Sequence, residues 1–295
     1  MRQFFIQLTS AAMITAMILV VVAAPAGAGK TVIKLATLAP EGSSWVNVFN
    51  ELKQEVEQRT NGQVKIRIYP GGVLGDERDM LRKMHIGQIH SAALTSAGLS
   101  AIFPEFDAFQ IPFSFKSYEE VDHIVSETES YFRKGLGDKG YILIGWLEGG
   151  FVQLMATVPV DSLEKMKNAK VWTWQDSPMS KAIFDEAGVA AIPLSVPDVL
   201  VGLQTGLVDV VYAPPSGAIS LQWFTKLKYI VDVPLIYLLG GLVVKKTVYQ
   251  KISPEHQAIL NELTPKYMQK LKKLIRHDNQ EALKVMKKQG IQILL

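Results

Sequence analysis

Trp172 and Trp174 stand two residues apart in the segment NAKVWTWQDSP, Asn168 to Pro178. In an extended strand that spacing puts both indoles on one face. Two rings side by side can stack on an apolar or aromatic ligand, or hold an organic cation against their negative faces. They can also fill a core, the commoner use of large rings. Other chemistry has less footing. His85, His90, His123, His256 and His277 show no metal-ligand spacing, and the chain has 0 cysteines. No serine lies in a G-x-S-x-G elbow. The segment GLGDKG, Gly135 to Gly140, has the spacing of a dinucleotide fingerprint, but it follows a helical pattern and precedes the strand-like YILIGWL. The fingerprint requires the opposite context. No metal, nucleotide or other cofactor and no enzymatic activity is expected.

The elements that must position the tryptophans are legible from periodicity. TVIKLATLA (Thr31 to Ala39) reads as a buried strand, followed by a helix over SSWVNVFNELKQEVEQRTNG, with Ser43 or Ser44 as cap and Gly62 as its end. QVKIRIYPGG alternates Val64, Ile66 and Ile68 with polar residues and closes at Pro70 and Gly71, as a second strand does. A helix over GDERDMLRKMHIGQI and a strand over HSAALTSAG complete a βαβαβ order, the pattern of a largely parallel sheet with helices on it. The grammar recurs from YILIGWLE through AKVWTW and AAIPLS to VDVVYAP. Two α/β units without a low-complexity linker predict two lobes with a cleft between them. Pro254 to Gln289 reads as a helix whose lysines form a solvated outer face.

Composition narrows the class. The chain has 295 residues, 31 Lys and Arg against 28 Asp and Glu, and a formal charge of +3. That balance is too weak to point to nucleic acid. The N-terminus carries Arg2, an apolar run from Ala11 to Ala24, and small residues at Ala26 and Ala28. This is the layout of a secretory leader cleaved after Ala28, with an uncleaved anchor as the alternative. Without cysteine, neither a lipid-modified N-terminus nor a disulfide framework is available. Val231 to Val244, interrupted by Asp232, Pro234 and a glycine pair, reads as buried strand segments around a turn and not as a membrane span.

Three segments together resemble the DctP-type extracytoplasmic solute-binding proteins of tripartite ATP-independent periplasmic (TRAP) transporters. They are NGQVKIRIYPGGVLGDERDMLRKMHIGQI, with Pro70, Leu74 and Gly75; FPEFDAFQIPFSF, Phe103 to Phe115; and AGVAAIPLSVPDVLVGLQTGLVDVVYAPP, Ala187 to Pro215. The resemblance runs from about Thr31 to the C-terminus. It implies a two-lobed α/β binding protein with a long C-terminal bracing helix, located in the periplasm, that delivers a small molecule to a membrane permease. A tetratricopeptide-type accessory subunit stands beside some members. The family's arginine, which grips an organic acid at the start of a strand, falls here on Trp172. Positions that carry Glu and Asn in the family fall on Tyr212 and Ala213, and a second basic position falls on Val152, after Phe151. Leu38, Val196 and Gly240 fall on cleft-facing positions.

From this we expect a leader over residues 1–28, one lobe over 29–149 with about 240–252, and a second over 150–239 with 253–295. An enclosed carboxylate without a partner costs several kcal/mol, whereas a large apolar side chain withdrawn from water contributes about 1.5–3 kcal/mol. The expected ligand is therefore hydrophobic or amphipathic and not a carboxylate. Trp45, Trp172, Trp174, Tyr212 and Val152 are expected to hold it, with Ser44, Thr95 and Ser96 orienting it. The rings are expected to be ligand contacts rather than core, so that Trp172→Ala costs affinity and little stability. Two alternatives stay open. One is a cation–π box for an amine or quaternary ammonium with Asp76 or Glu148 as counter-charge. The other is an apolar-ligand carrier acting with a protein partner and no permease.

Overall fold

The structure is a computed structural model describing residues 30–175 and 177–294. The expected leader and its cleavage point lie outside the described residues. In chain order the elements are β1 (Thr31–Thr37), α1 (Ser44–Arg59), β2 (Val64–Tyr69), α2 (Glu77–His85), β3 (Ser91–Thr95), α3 (Ser96–Ser100), α4 (Tyr118–Asp138) and β4 (Tyr141–Ala156). There follow α5 (Leu163–Lys167), β5 (Val171–Trp174), α6 (Pro178–Glu186), β6 (Ala191–Leu194), α7 (Val199–Thr205), β7 (Val210–Ala213) and α8 (Pro215–Ser220). The chain ends with β8 (Tyr229–Val231), β9 (Ile236–Lys245), α9 (Lys246–Tyr249), α10 (Pro254–Lys288) and β10 (Gln292–Leu294).

Local chemistry sets the helix starts. Ser43 accepts from the Val46 amide at 3.4 Å and caps α1. Asp76 and Asp79 form a reciprocal capping box on α2. Ser253 caps α10, and Pro254 occupies its first turn, where a missing N–H costs nothing. The glycine-rich GLGDKG is the tail of α4 and its terminating turn, with Gly140 at φ 85°. The fingerprint reading fails here as the context required.

The strand order is β2-β1-β3-β9-β4-β7-β5-β6, with β8 beside β4 and β10 beside β8. The outer strands pair in parallel, β1 with β2 and β3, and β5 with β6 and β7. The centre is antiparallel: β9 runs against β3 and β4, and β4 against β7. The long strand β4 therefore belongs to both halves of the molecule. Its pairing with β9 shifts register between Glu148 and Gly150, a bulge that bends and re-aims a strand. Gly150 takes φ 102°, and a Cβ there would meet the Asn279 amide at 2.3 Å. Asn279 donates to the Gly149 carbonyl at 2.8 Å and accepts from the Ser216 amide at 2.9 Å. One α10 side chain thus ties the crossing strand to the start of α8.

The first half packs α1 and α10 on one face of its sheet, through Phe49, Leu52, Leu260 and Ile275 among others, and Met80, Leu94, Leu99 and Phe106 on the opposite face. The second half centres on Trp172, Val211 and Trp223, and Met286 from the end of α10 joins it. With 35 residues, α10 is about 50 Å long at 1.5 Å per residue. It contributes to both cores and braces them. Among the described residues no helix is long and apolar enough to cross a membrane.

Candidate ligand-binding cleft

Between the halves lies a cavity of about 190 Å³. Strand ends and helix starts from both sides build it: the β1–α1 loop, β3 and α3, the β4 bulge, β5, and the β7–α8 turn. Of the residues expected from the sequence, Leu38, Ser44, Trp45, Thr95, Ser96, Val152, Trp172, Trp174, Val196, Tyr212 and Ala213 line this one cavity.

Four expected residues lie elsewhere. Glu148 accepts from Arg276 at 3.0 Å and from the Tyr237 hydroxyl at 2.5 Å, so its charge is spent inside the scaffold. Phe151 packs on Tyr118 and Tyr237, with centroids 5.3 and 5.0 Å away. Gly240 pairs with Thr95 in the β3–β9 ladder, where a Cβ would meet the Leu94 carbonyl oxygen at 2.2 Å. Backbone approach, and not ligand contact, accounts for a glycine there. Asp76 faces a neighbouring crevice. Its Oδ1 accepts from the Glu77 amide at 2.7 Å, and its Oδ2 from Trp174 Nε1 at 3.0 Å and the Val196 amide at 3.1 Å. This carboxylate bridges the halves beside the cavity. Burial, partly offset by these bonds, raises its pKa above the ordinary value.

The two tryptophans have different duties. Trp172 is 2 % exposed, stacks on Tyr212 at 4.7 Å, meets Trp223 edge-on at 5.4 Å, and donates from Nε1 to the Leu194 carbonyl at 3.0 Å. It is a member of the second core as well as a cavity wall. The expectation that it is dispensable for folding is therefore corrected, because two aromatic neighbours and a backbone carbonyl rest on it. Trp174 is half-buried, and its backbone amide donates to the Tyr212 hydroxyl at 3.2 Å.

Sequence reasoning missed Glu77, Trp223, Tyr237 and Asp278, which also line the cavity. Glu77 is 3 % exposed and accepts from the Thr95 amide at 2.7 Å and the Thr95 hydroxyl at 2.8 Å. Burial pushes its pKa up to about 8. Asp278 accepts from the Ser44 hydroxyl at 2.5 Å. A signal for it existed: Asp278 and the buried Asn279 interrupt the apolar stripe running through Leu271, Ile275, Ala282 and Met286. Among the described residues lining the cavity there is no Lys, Arg or His. No group of His, Asp and Glu among the described residues could hold a metal ion.

A model of the DctP family, "Bacterial extracellular solute-binding protein, family 7", matches residues 35–294. The 2,3-diketo-L-gulonate-binding periplasmic protein YiaO of Escherichia coli K12 is 26% identical over 251 residues, 83% of this chain and 74% of that protein. The sialic acid-binding periplasmic protein SiaP of Vibrio cholerae is 23% identical over 288 residues, 95% of this chain and 88% of that one. A TRAP periplasmic solute-binding protein of Citrobacter koseri, solved with bound D-glucuronate, superposes with a TM-score of 0.83 at 26% identity, covering 89% of this chain and 88% of that chain.

Proposed function

The chain belongs to the bacterial extracellular solute-binding proteins of family 7, the DctP family, and from that premise we propose that it captures a small hydrophobic or amphipathic ligand lacking a carboxylate. The coarser function follows from membership: it is a periplasmic receptor of a TRAP transporter that hands a solute to membrane permease subunits, and it is not an enzyme. The relatives named above bind sugar acids, so the proposal is a departure within the family.

The observation that carries it is the charge of the cavity wall. Its described acidic residues are Glu77 and Asp278, and no described Lys, Arg or His lines it as a partner for a carboxylate. An enclosed acid would find only neutral donors in this wall while facing Asp278, and an enclosed charge without a cationic partner costs several kcal/mol. Rings and aliphatic groups of Trp45, Trp172, Tyr212, Val152 and Leu38 offer apolar contact instead. Native mass spectrometry of protein taken from periplasm is the test. A co-purifying compound without a carboxylate supports the reading, and a stoichiometric sugar acid defeats it.

We take the leader to be removed after Ala28, so that the intact mass of the exported chain starts at Gly29 and carries no lipid. A full-length chain recovered from membranes would contradict this. The lysine-rich face of α10 is the place where a tetratricopeptide-type subunit would dock. Lys266, Lys270 and Lys272 are already paired with Glu55, Glu51 and Asp122, which supports a solvated face over a dock.

A further inference from the structure

We propose that the cleft recognises an organic ammonium ion, its charge set against Asp278 and its apolar or aromatic body against Trp45, Trp172 and Tyr212. The inference rests on the reading of the cleft as one that takes no carboxylate, and it names the head group that such a cleft selects. The sequence pointed to Asp76 or Glu148 as counter-charge, and the structure commits both: Asp76 to Trp174 and Val196, Glu148 to Arg276 and Tyr237. Glu77 is committed as well, since both carboxyl oxygens accept from Thr95, and burial holds its pKa above the ordinary carboxylate range. Asp278 differs from all three. It makes no ion pair among the described residues, and its Oδ1 receives no hydrogen bond from any of them.

The surroundings of Asp278 do not neutralise it. One turn away on α10 stand Leu274, Ile275, Glu281 and Ala282, and Glu281 is paired with Lys284. Its hydrogen-bond donor, Ser44, opens α1, whose N-terminal end carries roughly half a positive charge from aligned peptide dipoles. A full carboxylate charge against about half a helix charge leaves this corner of the cavity net negative. An acid brought there meets repulsion, an alcohol gains a hydrogen bond to the charged acceptor, and an ammonium gains that bond together with the attraction of opposite charges. Trp45 follows Ser44 on the same helix turn and lines the same cavity. Ring faces within about 6 Å attract a cation further.

One skeleton with three head groups tests this: calorimetric titration of the ligand-free full chain with phenethylamine, phenethyl alcohol and phenylacetate at neutral pH. The amine should bind at least tenfold more tightly than the alcohol, and the acid should give no saturable heat. Asp278→Asn should bring the amine-to-alcohol affinity ratio close to one, and Asp278→Glu should keep most of it, with thermal melts showing both variants folded. Equal affinity for amine and alcohol, or a ratio that Asp278→Asn leaves intact, would overturn the ammonium assignment while the broader reading stands. Failure of all three probes to bind would overturn it too. Tightest binding of the acid would defeat both.

Discussion

Truncating Trp172 to alanine should unsettle the second half of the molecule as well as the cleft. The ring is 2 % exposed, with Tyr212 stacked at 4.7 Å, Trp223 edge-on at 5.4 Å and the Leu194 carbonyl at 3.0 Å from Nε1. Large-to-small aromatic changes in a core cost about 3–5 kcal/mol. One side of this ring already faces a cavity, so fewer contacts vanish than in a solid core, and the low end of about 3 kcal/mol applies. At about 2–4 °C per kcal/mol for a chain of this size, the melting temperature should fall by roughly 6–12 °C. Trp172→Phe keeps most of the ring and gives up the Nε1 bond, an ordinary hydrogen bond of about 1 kcal/mol, so its melt should fall by only a few degrees. Scanning calorimetry of the two variants reads both numbers. If Trp172→Ala melts within about 1 °C of the native chain, the ring is no part of the core. It would then be dedicated to ligand, as its place at the family arginine's position implied.

Glu77 and Asp76 provide two independent tests. The folded pKa of Glu77, about 8, lies above its ordinary 4.5, so the native state holds the proton more tightly than the unfolded chain does. Stability from this group is full below about pH 4.5 and is lost as pH rises through about 8, at up to roughly 1.4 kcal/mol per pH unit. Urea unfolding between pH 5 and 8 should show that loss, Glu77→Gln should flatten it, and equal slopes in both chains would contradict the assignment. Asp76→Ala removes the acceptor for Trp174 Nε1 and the Val196 amide across the cleft. With about 2 kcal/mol of closure lost, affinity for phenethylamine should fall about 30-fold; unchanged affinity would show that the bridge does not hold the cleft.

The fold was legible because its units are local. Alternation in Val64, Ile66 and Ile68, the Ser43 cap and the Asp76 capping box each declare an element within a few residues, and the βαβ order follows. The antiparallel β4–β9 pair was not legible. Its register joins residues such as Leu147 and Gly240, almost a hundred positions apart, and nothing local in YILIGWLEGGFVQLMA says that the strand continues through its glycines into the second half. The cleft divides the same way. Leu38 and Trp172 were named from the family register and Thr95 from the sequence as a polar contact, and all three line the cavity, whereas Asp278 arrives from a helix that brings it beside Ser44 only in the folded chain. The counter-charges misread from the sequence failed for one reason. Whether a carboxylate is free depends on partners such as Arg276 and Trp174, and those partners are set by packing and not by spacing.

The proposal that the cleft takes no carboxylate is tested most directly by titrating D-glucuronate into ligand-free protein at neutral pH in a calorimeter. No cation lines the cavity among the described residues, and Asp278 stands in it, so the account predicts no saturable heat at millimolar ligand, a free energy weaker than about −4 kcal/mol. Saturable binding in the micromolar range, comparable to a charge-paired acid, would contradict it.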